Sequence, residues 1–499
     1  MESGMSHKRA VAREQIDLDD IRVGKDVIEI ITSGMYVSPT TIYREYIQNS
    51  ADSIDQAKQT GVLTPREYGR VDITFDQSAR TVSVRDNGAG IKTRDAVSTL
   101  VAIGASPKRG SAARGFRGVG RLSGLAHCRE LEFRTKAAGE KKIVSVSWDC
   151  RGLRERLSDS AFGGDLRRII ADAVSVSYET ADDSNDHFFE VRLRDIARLR
   201  NDLLLNERVI AHYLSQIGPL PFSPDFGFGA QIEEHLAPRL RRTPLNLVVA
   251  GERMYRPYRD EMIFPATAHK LRVENIEFFE FANVDGDTGA LAWIAHHEYV
   301  RSILPTLGVR GLRARVGDLQ VGDAGLFDEI FKEPRFNGWS IGEIHVIDPR
   351  IVPNARRDNF EVNHHYYNLL VQLGPLAGKI TQRCRSASVS RNCEQVARNV
   401  ITETTSRLKQ KRPFDRAELS RLKSAVLRAR SKAKRVSEAA LRSELESNLD
   451  KLKAKLTKVS PKRGASAIAV DEAVRLVSKL VTNRAQAETL AAALRRLCE

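Results

Sequence analysis

Between residues 70 and 88 the chain reads RVDITFDQSARTVSVRDNG. Two runs alternate apolar with polar side chains, the period of a half-buried strand, and Gln77-Ser78-Ala79 interrupts them as a turn, so a hairpin is expected here. The stretch before it, REYIQNSADSIDQA (44–57), follows another period. Tyr46, Ile47, Ala51 and Ile54 fall on one side of a helix, and Glu45, Asn49 and Asp52, spaced by four and by three, fall on a second stripe. TRDAVSTLVAIGAS (93–106) reads as a further helix, and RELEFRTK with KIVSVSWD as a second hairpin. Residues 21–215 are therefore expected to form an α/β domain with a largely antiparallel sheet, after a short tail at 1–20.

The periodicity then lapses. IGPLPFSPDFGFG (217–229) is dense in Pro and Gly and suggests a connection over about 216–240. LNLVVAG, ALAWIAHHEYV, GLRARVG and IGEIHVI read as strands of a second α/β unit, 241–378. Beyond it Gly and Pro nearly vanish, and Leu441, Leu445, Leu449, Leu452 and Leu456 recur at helical spacing, so 379–499 is expected to be helical. The fold class is α/β, an α+β sandwich followed by a helical region. The chain of 499 residues fits about two to four domains.

Charge alters this picture in one place. Residues 401–499 hold 24 Lys and Arg against 11 Asp and Glu, which accounts for +13 of the net +15. Such a region can neutralise phosphates without a sequence motif, so weak nucleic-acid binding is one reading. A solvated helix face is another. Aromatic residues are nearly absent after Phe414, which disfavours single-strand recognition by base stacking. The leucine spacing argues for helix pairing and hence a homodimer. No run approaches the ~18 apolar residues of a membrane span. The charged first twenty residues do not read as a secretory signal, and the five cysteines show no paired spacing, so a cytoplasmic protein with free thiols is expected.

The candidate chemistry lies in loops. DNGAG (86–90) places a carboxylate, Asp86, beside Gly88 and Gly90, where backbone can approach a flat ligand and the acid can accept from an exocyclic amine. GFRGVGRLSG (115–124) contains Gly115, Gly118 and Gly120 as GxxGxG, a loop able to turn N–H groups toward phosphate oxygens. It matches neither the dinucleotide fingerprint nor a P-loop.

The order of these pieces, an acid-and-Asn helix, then DxGxG, then GxxGxG, resembles the gyrase, heat-shock-ninety, histidine-kinase and MutL (GHKL) superfamily over about residues 25–150. The resemblance implies a Bergerat-type domain that binds ATP with Mg2+. Glu45 then corresponds to the general base acting on water, Asn49 to the magnesium ligand, Asp86 to the adenine reader, and Gly88 and Gly90 to the floor beneath the base. Gly115, Gly118 and Gly120 correspond to the phosphate-facing loop, and Asp52 to a supporting carboxylate near the nucleotide. GFRGVGRLSG is similar to the heat-shock-ninety stretch GxFGVGxYS. IVPNARRDNFE (351–361) is similar to that family's middle-domain loop, which brings an arginine to the terminal phosphate. Register favours Arg357 for that role, with Arg356 the competing choice. What the resemblance implies is a magnesium-dependent ATPase acting as an ATP-driven dimeric clamp of the heat-shock-ninety chaperone type, with a client protein as partner. The alternative is a DNA-handling ATPase of the MutL or microrchidia type.

Overall fold

The computed structural model describes residues 38–104, 119–158, 166–181, 185–198, 202–240, 244–264, 269–461, 465–481 and 484–497. The tail at 1–20 and the glycines at 115 and 118 lie outside them. The described residues divide into two compact units, one up to His297 together with Arg301–Gly378, the other Glu298–Val300 with the residues from Lys379 onward.

In the first unit α1 (Thr41–Gln59) precedes the hairpin of β1 (Arg70–Asp76) and β2 (Thr81–Asp86), paired in the register Val71 to Asp86 and Asp76 to Thr81. Its turn is set locally: Asp76 Oδ1 accepts from the Ser78 hydroxyl at 2.7 Å and the Ala79 N–H at 2.9 Å. Helix α2 (Thr93–Val101) is shorter than its apolar periodicity suggests, because Ala102 already adopts an extended conformation. β3 (Cys128–Lys136) and β4 (Lys142–Asp149) make the second hairpin. After α3 (Cys150–Ser158) and α4 (Leu166–Ala173) come β5 (Val174–Thr180), β6 (Phe188–Ile196) and α5 (Glu207–Ile217).

The connection expected at 216–240 is neither extended nor solvent-washed. It contains α6 (Gly229–Leu236), Leu220 is buried in the first core, and Phe222 and Phe226 pack with Tyr258 and Trp293 in a second core. Its Pro and Gly positions shape a turn whose aromatic side chains are the anchors. One strand also goes elsewhere than expected. LNLVVAG supplies β7 (Asn246–Val249), which lies parallel to β1 from Arg70–Asn246 to Ile73–Val249 and extends the first sheet rather than the second. With β8 (Glu252–Arg253) the sheet has eight strands in the order β5-β4-β3-β6-β2-β1-β7-β8. Periodicity states that a segment pairs, but not with which free edge.

β9 (Glu261–Phe264) and β10 (His269–Arg272) form a small ribbon. The other sheet follows the order β11-β12-β15-β13-β14, from β11 (Asn275–Ala282), β12 (Thr288–His296), β13 (Gly311–Val316), β14 (Leu319–Val321) and β15 (Ile341–Val346), with β13 and β15 parallel. All six residues of β15 are buried, the signature of a strand covered on both faces.

Helix α7 runs from His364 to Lys409 with Pro375 inside it, so helical structure begins well before residue 379. Asn363 provides the start signal, its Oδ1 accepting the Tyr366 N–H at 2.9 Å. In the second unit α8 (Arg416–Ala433) and α9 (Ala439–Thr457) are followed by α10 (Ala465–Leu480) and α11 (Arg484–Leu497). Leu445, Leu449 and Leu456 of the leucine stripe are buried in one core with Leu419, Leu422 and Val426 of α8. The stripe therefore finds its partner within the chain, and its spacing no longer argues for a second copy. Among the described residues no helix is long and apolar enough to cross a membrane.

Candidate active site

Helix α1 and strand β2 build the site. Tyr43, Tyr46, Ile47, Ala51 and Ile54 of α1 are buried against the sheet, which turns Glu45, Asn49 and Asp52 along a neighbouring stripe. Glu45 and Asp52 are buried and Asn49 is half-buried. In β2, Val82, Val84 and Asp86 share a face by the period of two, so a carboxylate occupies the third position of a core-facing row. Asp86 is 2 % exposed. Its Oδ1 accepts the Gly88 N–H at 2.9 Å, whereas Oδ2 is buried with no hydrogen-bond partner among the described residues. Burial pushes the Asp86 carboxyl up to about 7, an effect that the nearby Ser50 and Ser53 hydroxyls and the Gly88 N–H only partly offset. A buried acceptor lacking a donor fits an amine-bearing ligand.

The glycine loop packs closely onto these groups. Gly90 has φ +63°, and a Cβ there would stand 2.1 Å from the Lys136 carbonyl oxygen. Gly88 lies between them, its carbonyl 2.8 Å from His187 Nδ1. Gly120 opens a helical turn (Gly120–Ala126), where an added Cβ would come 2.0 Å from Glu45 Oε2. Of Gly115, Gly118 and Gly120, only Gly120 is among the described residues, and it lies against the acid of α1.

The loop 351–361, distant in sequence, completes the cluster. Arg357 Nε lies 3.6 Å from Glu45 Oε1, and Arg44 Nη1 donates to the Arg357 carbonyl at 3.2 Å. Arg357 holds φ +56°, a left-handed conformation that costs a non-glycine residue roughly 1–3 kcal/mol where the surroundings impose it. Here Gly322 N–H donates to its carbonyl at 2.9 Å, and its own N–H reaches Asn354 O at 3.1 Å. Arg356 points elsewhere, 56 % exposed, with Nε 3.9 Å from Asp358. The structure thus brings Arg357, not Arg356, to Glu45.

Sequence reasoning missed the role of Arg44 in holding this loop, as well as a buried ion cluster in the second sheet. Glu343 accepts from Arg256, Arg315 and Tyr258. Burial pushes its carboxyl up, but Arg256 and Arg315 outweigh that and hold it well below the usual range. The available signal was an acid and a histidine, two residues apart, inside a strand whose other residues are apolar, IGEIHV.

Residues 37–157 match the family described as histidine kinase-, DNA gyrase B- and HSP90-like ATPase. The superfamily resemblance read from the motifs therefore stands for this segment. Among curated proteins, the chaperone protein HtpG of Escherichia coli K12 and that of Escherichia coli O157:H7 are each 30 % identical over 146 residues. The match spans 26 % of this chain and 23 % of each relative.

Proposed function

We propose that this chain is a magnesium-dependent ATPase in which ATP hydrolysis drives a dimeric clamp of the heat-shock-ninety chaperone type, acting on a client protein in the cytoplasm. In this reading 21–215 is the ATP-binding domain, 216–240 a packed connection, 241–378 the arginine-supplying middle domain, whose β7 and β8 complete the first sheet, and 379–499 a basic helical region that dimerises.

The observation that carries the proposal is the 3.6 Å approach of Arg357 Nε to Glu45 Oε1, an acid on the α1 stripe beside Asn49. Asp86 Oδ2 accepts the exocyclic amine of adenine, and Gly88 and Gly90 line the base. Glu45 orients water and takes its proton as water attacks the terminal phosphorus, with ADP as leaving group. Arg357 meets the charge that develops on the transferring phosphoryl group. Asn49 would hold magnesium through its amide oxygen, with Asp52 supporting; when bound, the ion neutralises phosphate charge. The last two helices support the dimer reading, because Leu476, Leu480 and Leu490 are 53 %, 77 % and 49 % exposed. The +13 of residues 401–499 keeps one second reading, a DNA-handling ATPase of the MutL or microrchidia type.

Phosphate release and ATP binding, measured on the same Glu45→Ala protein, test the assignment. Turnover is expected to vanish while ATP binding stays near normal, since the base acts on water. Wild-type turnover in this variant would refute it.

A further inference from the structure

A cavity of about 700 Å³ lies in the first unit between the start of α1, the end of α5 and the β13–β14 side of the second sheet. That size suits a small-molecule ligand. Glu45, Asn49 and Asp86 do not line it. Five arginines do, Arg44, Arg310, Arg313, Arg356 and Arg357.

Three aspartates share the wall; one oxygen of each accepts a hydrogen bond that shapes a loop, and all three bring negative charge among the five arginines. Asp323 accepts the Gly325 N–H at 2.7 Å, Asp328 the Asn337 amide at 2.7 Å, and Asp358 the Asn354 amide at 2.6 Å. Three of the arginines, Arg44, Arg310 and Arg313, have no acid within ion-pair distance among the described residues, and their Nε atoms are buried without hydrogen-bond partners. Arg313 is 3 % exposed, and its hydrogen bond goes to a neutral group, Gln320 Oε1, at 3.0 Å. Burying a guanidinium with no carboxylate in ion-pair contact is costly. Desolvation accordingly pulls Arg313 below its ordinary range, with Arg315 adding to the effect and Tyr258, Glu343 and Asp323 only partly opposing it. By contrast Arg315, one pleat further along β13, is paired with Glu343. The side toward Tyr213, Ile217 and Pro305 offers apolar surface for the body of a ligand.

We infer that this cavity is a further binding site, adjoining the nucleotide site with Arg357 on the shared wall, for a phosphorylated small molecule of about nucleotide size. Guanidinium forks match phosphate oxygens in pairs, and an anion here would supply the charge and the acceptors that Arg310 and Arg313 lack.

Calorimetric titration of the full chain with inorganic pyrophosphate tests this, using wild type, Asp86→Asn, Arg310→Ala and Arg313→Gln, with labelled ATP binding measured alongside. Pyrophosphate is expected to bind wild type, Asp86→Asn and wild type saturated with the non-hydrolysable analogue AMPPNP alike; loss of binding in the AMPPNP-saturated protein would place it in the nucleotide site and overturn the proposal. Removing either arginine should weaken pyrophosphate binding by roughly tenfold or more, the loss of a charged hydrogen bond, while ATP binding persists. Should Arg313→Gln also lose ATP binding, the half-buried Arg310→Ala decides alone. No saturable binding to wild type, or unweakened binding to Arg310→Ala, overturns the proposal.

Discussion

Two clusters of buried charge lie in the first unit and are built on opposite principles. Around Glu343 the acid and its cations close on one another: Arg256, Arg315 and Glu343 are all no more than 1 % exposed, and Glu343 meets two guanidiniums, a phenol and the His345 ring. Around α1 the groups stop short. Asp86 keeps an unpartnered oxygen, and Glu45 stands 3.6 Å from Arg357, beyond hydrogen-bond length. A cluster that holds a sheet together satisfies itself, whereas the one proposed to receive a ligand keeps valence in reserve and carries the cost in the free state.

The sharpest way to break this contrast is at the closed cluster. Glu343→Gln should leave Arg256 and Arg315 buried without their counter-charge and cost about 3–5 kcal/mol. Urea unfolding followed by circular dichroism should show the midpoint falling steeply; an unchanged midpoint would mean the cluster does not hold the sheet.

At the open cluster the expected loss is catalytic. Arg357→Ala should lower phosphate release roughly 10²-fold, about 2.7 kcal/mol of transition-state stabilisation, with ATP affinity little changed. Arg356→Ala, whose side chain faces Asp358, should have the milder effect. If Arg356→Ala is the severe variant, the loop is used in another register than the one seen.

Asp86 should respond with the opposite sign from Glu343. Its carboxyl, raised from 3.8 to about 7 by burial, holds its proton in the folded state over a pH range where the unfolded chain has released it. Stability should therefore decline as pH rises from about 4 to 7, with a slope of at most ~1.4 kcal/mol per pH unit from this group. Asp86→Asn should remove that slope and raise stability at neutral pH, while weakening ATP binding. Thermal melts across this range, paired with an ATP titration, would expose an error in either half: a variant less stable at pH 7 means the carboxylate is structural.

The smallest effect is expected on α9, where Lys451, Lys453 and Lys455 are exposed. Replacing all three by Gln should leave the fold intact and weaken any binding to duplex DNA, lowering its salt dependence by about 0.9 per lost phosphate contact. Fluorescence anisotropy over a salt series would show it. An unaltered salt slope removes this helix from the DNA-handling reading.

What could be read from the chain alone was local. The alternation in 70–88 sufficed for β1 and β2, because side-chain period and a turn-forming Asp76 act within a few residues. The 4-3 spacing of Glu45, Asn49 and Asp52 likewise placed them on one stripe of α1, and the order of glycine motifs pointed to the ATPase superfamily that residues 37–157 match. Tertiary structure decided the rest. It took β7 to the edge of β1, matched the leucines of α9 to α8, and brought the loop of Arg357 to Arg44, 313 residues away in sequence. Periodicity states which face of an element is buried but not what buries it. Arg356 and Arg357 are alike in a string of letters, and one left-handed backbone conformation, imposed by bonds from Gly322 and Asn354, decides which of them meets Glu45.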